Sequence, residues 1–184
     1  RLTSSSNNTI SRNTIQNNGG YGVLTSSPNN IISGNTIQNN MYGVGLFSAF
    51  NSVVSANTVQ NNNSYGIYLN STSNNTVSGN TIQNNGGPGI GLLSTSSNNT
   101  ISGNTIQNNS GVGIVLDTSS NNTISGNTVQ NNGGYGVYLY SSSNNTISGN
   151  TIQNNSGVGI YVSPSNNNSI SGNVIQNNNS RGII

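Results

Sequence analysis

Cysteine, histidine, lysine, glutamate and tryptophan are all missing from this 184-residue chain, and the only acid is Asp117. Without cysteine there are no disulfides, and cysteine usage leaves the redox compartment open. Three arginines, Arg1, Arg12 and Arg181, bring the net charge to +2. Charge so sparse forms no basic patch, so nucleic acid and anionic membrane are poor partners. No apolar run approaches the roughly 18 residues of a membrane span. No initiator Met or signal peptide is present, so the chain reads as a mature or trimmed segment. What remains is small and polar: 43 Asn, 32 Ser and 17 Thr make up half the sequence. Such a composition reads as disordered unless it is periodic.

It is periodic. The phrase NNTISGNTIQNN, followed by a Gly-aliphatic pair, recurs throughout. One aliphatic column runs from Ile10 and Ile32 to Ile147 and Ile170, with repeats of 22 to 24 residues. A second runs from Ile15 to Ile175, a third from Val23 to Ile183, and a fourth is mostly Leu, as in Leu46, Leu69 and Leu139. Four aliphatic positions cannot bury themselves in one unit, but stacked coils turn each position into a continuous column. T-I-S, N-T-I-Q and G-I-Y-L alternate with period two, which predicts three short strands per coil. The expected fold is all-β: a right-handed parallel β-helix of eight coils, spanning residues 1–184 as one domain, uncapped at both ends. At about 4.8 Å per coil, eight coils rise about 38 Å.

Asn13 and its equivalents are Asn in every coil, as are the residues of the Asn17-Asn18 columns, and Gln16 heads an invariant Gln column. Corner backbone groups need partners, so the Asn13 and Asn18 columns are expected to form amide ladders. Glycine precedes the third strand in all eight coils, from Gly22 to Gly182. A tight corner with φ > 0 is the expected reason.

These motifs cover the whole chain, which resembles the parallel β-helix repeats of the NosD-like family within the pectate-lyase-type superfamily. Such repeats also occur in archaeal and bacterial surface proteins. The resemblance implies the fold and its right hand. NosD-like proteins are associated with copper, but a chain with no His or Cys and one Met, Met41, does not carry that ligand chemistry. Polysaccharide lyases and hydrolases on this fold use clustered carboxylates. Asp117 stands alone and reads as a solvated turn residue. Ser and Thr have no His or Lys to activate them. The expectation is therefore no catalytic residue, no cofactor and no metal site: a non-enzymatic structural protein, a subunit or segment of an extracellular fibre or surface layer, located outside the cell or on its surface. Both chain ends align with mid-coil positions, so self-association end to end, and laterally given the low charge, is expected.

Two alternatives rest on surface features. Alternation points Tyr68, Tyr138 and Tyr161 outward as an interrupted stripe, which suits glycans or a neighbouring fibre and suggests a glycan-binding or adhesive stalk. Outward Thr residues from Thr14 to Thr151 suggest ice binding, although their partner Gln16 column is a flexible amide and strand preference explains them well. The chain holds eleven Asn-x-Ser/Thr sequons, about the number expected by chance. Asn74, Asn98, Asn121 and Asn144, in the S-S-N-N-T loop, are the expected glycosylation positions.

Overall fold

The computed structural model describes all residues, Arg1–Ile184. Twenty-three short strands form three parallel sheets, two of eight strands and one of seven. Each strand pairs with its equivalent one coil away, so the sheets run the length of the molecule. A representative coil contributes Thr76–Ser78 to the first sheet, Thr81–Gln83 to the second and Ile90–Leu93 to the third. Pairing is in strict register, with Val77 opposite Ile101 and Val54, and Ile82 opposite Ile106 and Val59. In the eighth coil the third strand shrinks to one bridge, Ile160 to Ile183. No helix is long and apolar enough to cross a membrane.

The four aliphatic columns meet in one core of 25 buried residues. Burying each Val, Leu or Ile contributes about 1.5–3 kcal/mol relative to exposure. Because the columns are one residue wide, every coil depends on its two neighbours.

A single device builds the corners: a residue with positive φ, then an inward small polar residue. In one turn these pairs are Ser71-Thr72, Asn74-Asn75, Gly79-Asn80 and Asn84-Asn85, with φ of 50°, 59°, 63° and 56° at the first member. Arg12 and Ala56 hold the same conformation as Gly79, at 58° and 53°. The inward amides form ladders. Asn57 donates its backbone N–H and its Nδ2–H to Oδ1 of Asn80, at 2.9 and 3.0 Å, and its second Nδ2–H to the carbonyl of Ile32 at 2.9 Å. The Asn18 column does the same, as in Asn85 to Asn109. A third amide ladder, through Asn75, Asn99 and Asn122, was not expected, and Ser52 interrupts it. A fourth uses hydroxyls, as where Ser96 N–H donates to Ser119 Oγ at 3.1 Å. No buried side-chain polar atom lacks a partner.

Two expectations need correction. The glycine before the third strand has no positive φ. A Cβ on Gly66 would stand 2.5 Å from Ile82 Cγ2 and 2.7 Å from the Gly89 carbonyl oxygen, so it is space that excludes a side chain. The Gln column is not flexible: Gln60 Nε2 donates to Gln38 Oε1 at 2.8 Å, and the chain of bonds continues to Gln176.

Candidate functional site

The third sheet differs from the other two. Its outward positions carry the aromatic residues, whereas the second sheet presents Thr and Gln. One outward column reads Gly45, Tyr68, Gly91, Val115, Tyr138, Tyr161. A second, two residues on, reads Phe47, Asn70, Leu93, Asp117, Tyr140, Ser163. Beside them, the residue preceding each glycine adds Tyr21, Tyr42, Tyr65 and Tyr135.

Stacking turns this arrangement into two aromatic clusters. In the first, Tyr21 stacks on Tyr42 with centroids 4.5 Å apart, Phe47 meets Tyr21 and Tyr68 at 5.6 and 5.3 Å, and Tyr65 lies 4.9 Å from Tyr68. In the second, Tyr135 stacks on Tyr161 at 5.0 Å, while Tyr138 contacts Tyr135, Tyr140 and Tyr161. Rings lean onto glycines one coil further along. A Cβ on Gly45 would meet Tyr21 Cε1 at 2.6 Å, and one on Gly91 would meet Tyr65 Cε1 at 2.6 Å. Glycine at an outward strand position thus seats a ring flat on the sheet.

Between the clusters, two coils carry Gly91, Leu93, Val115 and Asp117 on this face. Asp117 is half-buried at the end of strand Ile114–Asp117, in register with Leu93 and Tyr140. This corrects the turn assignment: the third strand extends one residue past its last aliphatic column. Thr118 Oγ1 donates to Asp117 Oδ1 at 2.8 Å. Asn70 Nδ2 likewise donates to Tyr68 Oη at 2.8 Å, fixing that hydroxyl. Burial, then the neighbouring Tyr42 and Tyr68, pushes the Tyr21 pKa up to about 12. Burial also raises Tyr65 and Tyr138, and for both the negative charge of Asp117 adds to the effect. These hydroxyls therefore remain protonated donors across the physiological range. The surface holds no enclosed pocket.

Tyr68, Tyr138 and Tyr161 all lie on this face, Tyr68 in the first group and Tyr138 and Tyr161 in the second, so the stripe is interrupted between them. Phe47, Tyr140 and Asp117 were not anticipated. Their signal was the same alternation carried two residues further. Asn74, Asn98, Asn121 and Asn144 sit at an exposed corner between the third sheet and the first, with φ of 56–60°. The Asn62 sequon, in contrast, is buried in an amide ladder.

Three parallel sheets wound coil on coil define a β-solenoid of the pectate-lyase-superfamily type. The chain belongs to the right-handed β-helix family: the profile described as "Right handed beta helix region" matches residues 1–129 and 55–184. No curated protein matches the chain. Solved structures do. A variant of the periplasmic alginate epimerase AlgG is 28% identical, with a TM-score of 0.80, over 84% of this chain and 38% of that one. The mannuronan C-5 epimerase AlgE4 A-module of Azotobacter vinelandii is 20% identical, with a TM-score of 0.78, over 96% of this chain and 57% of that one. The enzymatically active domain of the bacteriophage CBA120 tailspike protein 2 is 14% identical, with a TM-score of 0.69, over 92% of this chain and 35% of that one. The chain thus spans well under two thirds of each.

These structures overturn the expectation of a non-enzymatic structural fibre subunit. Two of the three are epimerases, of alginate and of mannuronan, the third is an enzymatically active domain, and AlgG shares 28% identity with this chain. The expectation had been drawn from missing His, Lys and paired carboxylates. It gave no weight to tyrosine hydroxyls beside a lone carboxylate, although both residue types transfer protons.

Proposed function

We propose that this chain is the saccharide-binding β-helix of a carbohydrate-processing enzyme, with the polysaccharide lying along the outward face of the third sheet. The observation that carries the reading is the pair of aromatic clusters on that face, on either side of Asp117. Aromatic rings offer apolar faces to sugar C–H groups, and their hydroxyls offer hydrogen bonds. Tyr68 and Tyr138 are three coils apart, about 14 Å at the sheet spacing, which suits a polymer rather than a monosaccharide. Proton transfer from this chain falls to Asp117 as acceptor and the Tyr138 hydroxyl as donor. A periplasmic or extracellular setting goes with the same reading, since AlgG is described as periplasmic.

The test is a panel of soluble polysaccharides, scored for binding by calorimetry and for change by reducing-end release and by NMR of ring stereochemistry. Binding is expected for at least one member, and turnover of it is expected to fall by about a hundredfold or more in Asp117→Asn, the usual scale for removing a general base. A panel with neither binding nor turnover contradicts the reading.

A further inference from the structure

The charge on the aromatic face selects among saccharides. Between the two clusters the only ionised group is Asp117. The three cations of the chain are elsewhere. Arg12 occupies a corner between the first and second sheets. Arg1 precedes Leu2, which bridges to Thr25, so it stands at one end of the third-sheet face, with its Nε donating to Thr3 Oγ1 at 2.9 Å. Arg181, whose carbonyl accepts from Gly159 N–H, stands at the other. Counted in coils, they lie about 24 Å and about 14 Å from Asp117. Both separations exceed the Debye length of about 8 Å at physiological salt, so neither offsets the carboxylate there.

Asp117 is not sequestered in an ion pair. Thr118 occupies one carboxylate oxygen and leaves the other to accept. The surrounding side chains, Leu93, Val115 and the tyrosines, offer hydroxyl donors and apolar surface but no cation. A polyuronate laid across this stretch would bring a carboxylate on every unit against a fixed negative charge, with no guanidinium or ammonium in reach to pair with it. A neutral sugar brings hydroxyl donors that suit a carboxylate acceptor, and ring faces that suit tyrosine.

Resting on the saccharide-binding reading above, we infer that the ligand of this face is an uncharged polysaccharide, with Asp117 the residue that discriminates against polyuronates. The class differs from that named for the epimerases of similar fold. It follows from the side chains this chain places between its aromatic clusters.

The experiment compares a soluble neutral β-linked glucan, a soluble neutral mannan and poly-mannuronate, titrated into the full chain by calorimetry at about 0.01 M and about 0.15 M salt. At about 0.15 M salt, where Arg1 and Arg181 are screened from this stretch, at least one neutral polymer is expected to bind about tenfold or more tightly than poly-mannuronate. At about 0.01 M, where the Debye length grows to about 30 Å, the two arginines are expected to narrow the gap. Asp117→Asn is expected to improve poly-mannuronate binding several-fold while the neutral polymer, losing its charged acceptor, binds several-fold more weakly, and circular dichroism confirms that the variant is folded. Poly-mannuronate binding as tight as, or tighter than, both neutral polymers at about 0.15 M salt overturns the inference and leaves the saccharide-binding reading intact. Binding of none of the three overturns both.

Discussion

At the scale of single residues, the chain uses asparagine for two opposed tasks, and position in the corner decides which. Asn84 takes φ of 56° and faces solvent, while Asn85, its neighbour, is fully buried in a ladder. The buried amide is satisfied on every side, so a substitution that keeps its volume still strands its partners. Asn104→Leu leaves the Asn80 backbone N–H and Nδ2–H without the Oδ1 they share at 2.9 Å. We expect a loss of about 1–3 kcal/mol, read from the urea midpoint at unchanged slope. Glycines divide likewise. Gly126→Ala meets open space but places a side chain at φ of 63°, and costs about 1–2 kcal/mol. Gly66→Ala has ordinary backbone angles but no room, and the strain of overpacking costs about 1–3 kcal/mol. Ile82→Val should recover none of the Gly66→Ala loss, because valine keeps the methyl that crowds this position, as Val59 Cγ1 already crowds a Cβ placed on Gly43.

At the scale of one coil, the third strand joins fold to function, because its inward residues are core and its outward ones are the aromatic face. Tyr21 provides a pH test. Its phenol has a folded pKa pushed up to about 12, against an ordinary value near 10. The folded state therefore holds its proton more tightly than the unfolded chain. That stabilisation is fully present below about pH 10 and is lost as pH rises towards 12. Tyrosinate absorbance should show a late-titrating component that Tyr21→Phe diminishes, with Tyr65 and Tyr138 left to supply the rest, and alkaline unfolding should begin before that component is complete. The columns and strands were legible because the repeat superimposes eight copies of each position. The Asn30 and Asn75 ladder was not legible as inward, since Ser52 breaks the column. The purpose of Gly22 and its equivalents was hidden because crowding by Ile37 one coil away leaves no local signature in sequence. Asp117 was misplaced for a similar reason. Its strand partners, Leu93 and Tyr140, share no chemistry that marks them as one column.

At the scale of the whole molecule, the repeat supplies a rigid ruler, and departures from the repeat supply the site. The core and corners are nearly invariant, whereas the third-sheet face varies coil by coil, from Phe47 and Tyr68 through Gly91 and Val115 to Tyr138 and Tyr161. Variation confined to one outward face can change ligand contacts without disturbing stacking. The measurement that bears most directly on this account is polysaccharide affinity in the double variant Tyr68→Ala/Tyr138→Ala, paired with its thermal midpoint. The polysaccharide bound by the unaltered chain should bind at least about tenfold more weakly, about 1.4 kcal/mol, in a protein that still unfolds as one cooperative unit. Unchanged affinity in that folded variant would contradict the assignment of the aromatic face as the saccharide site.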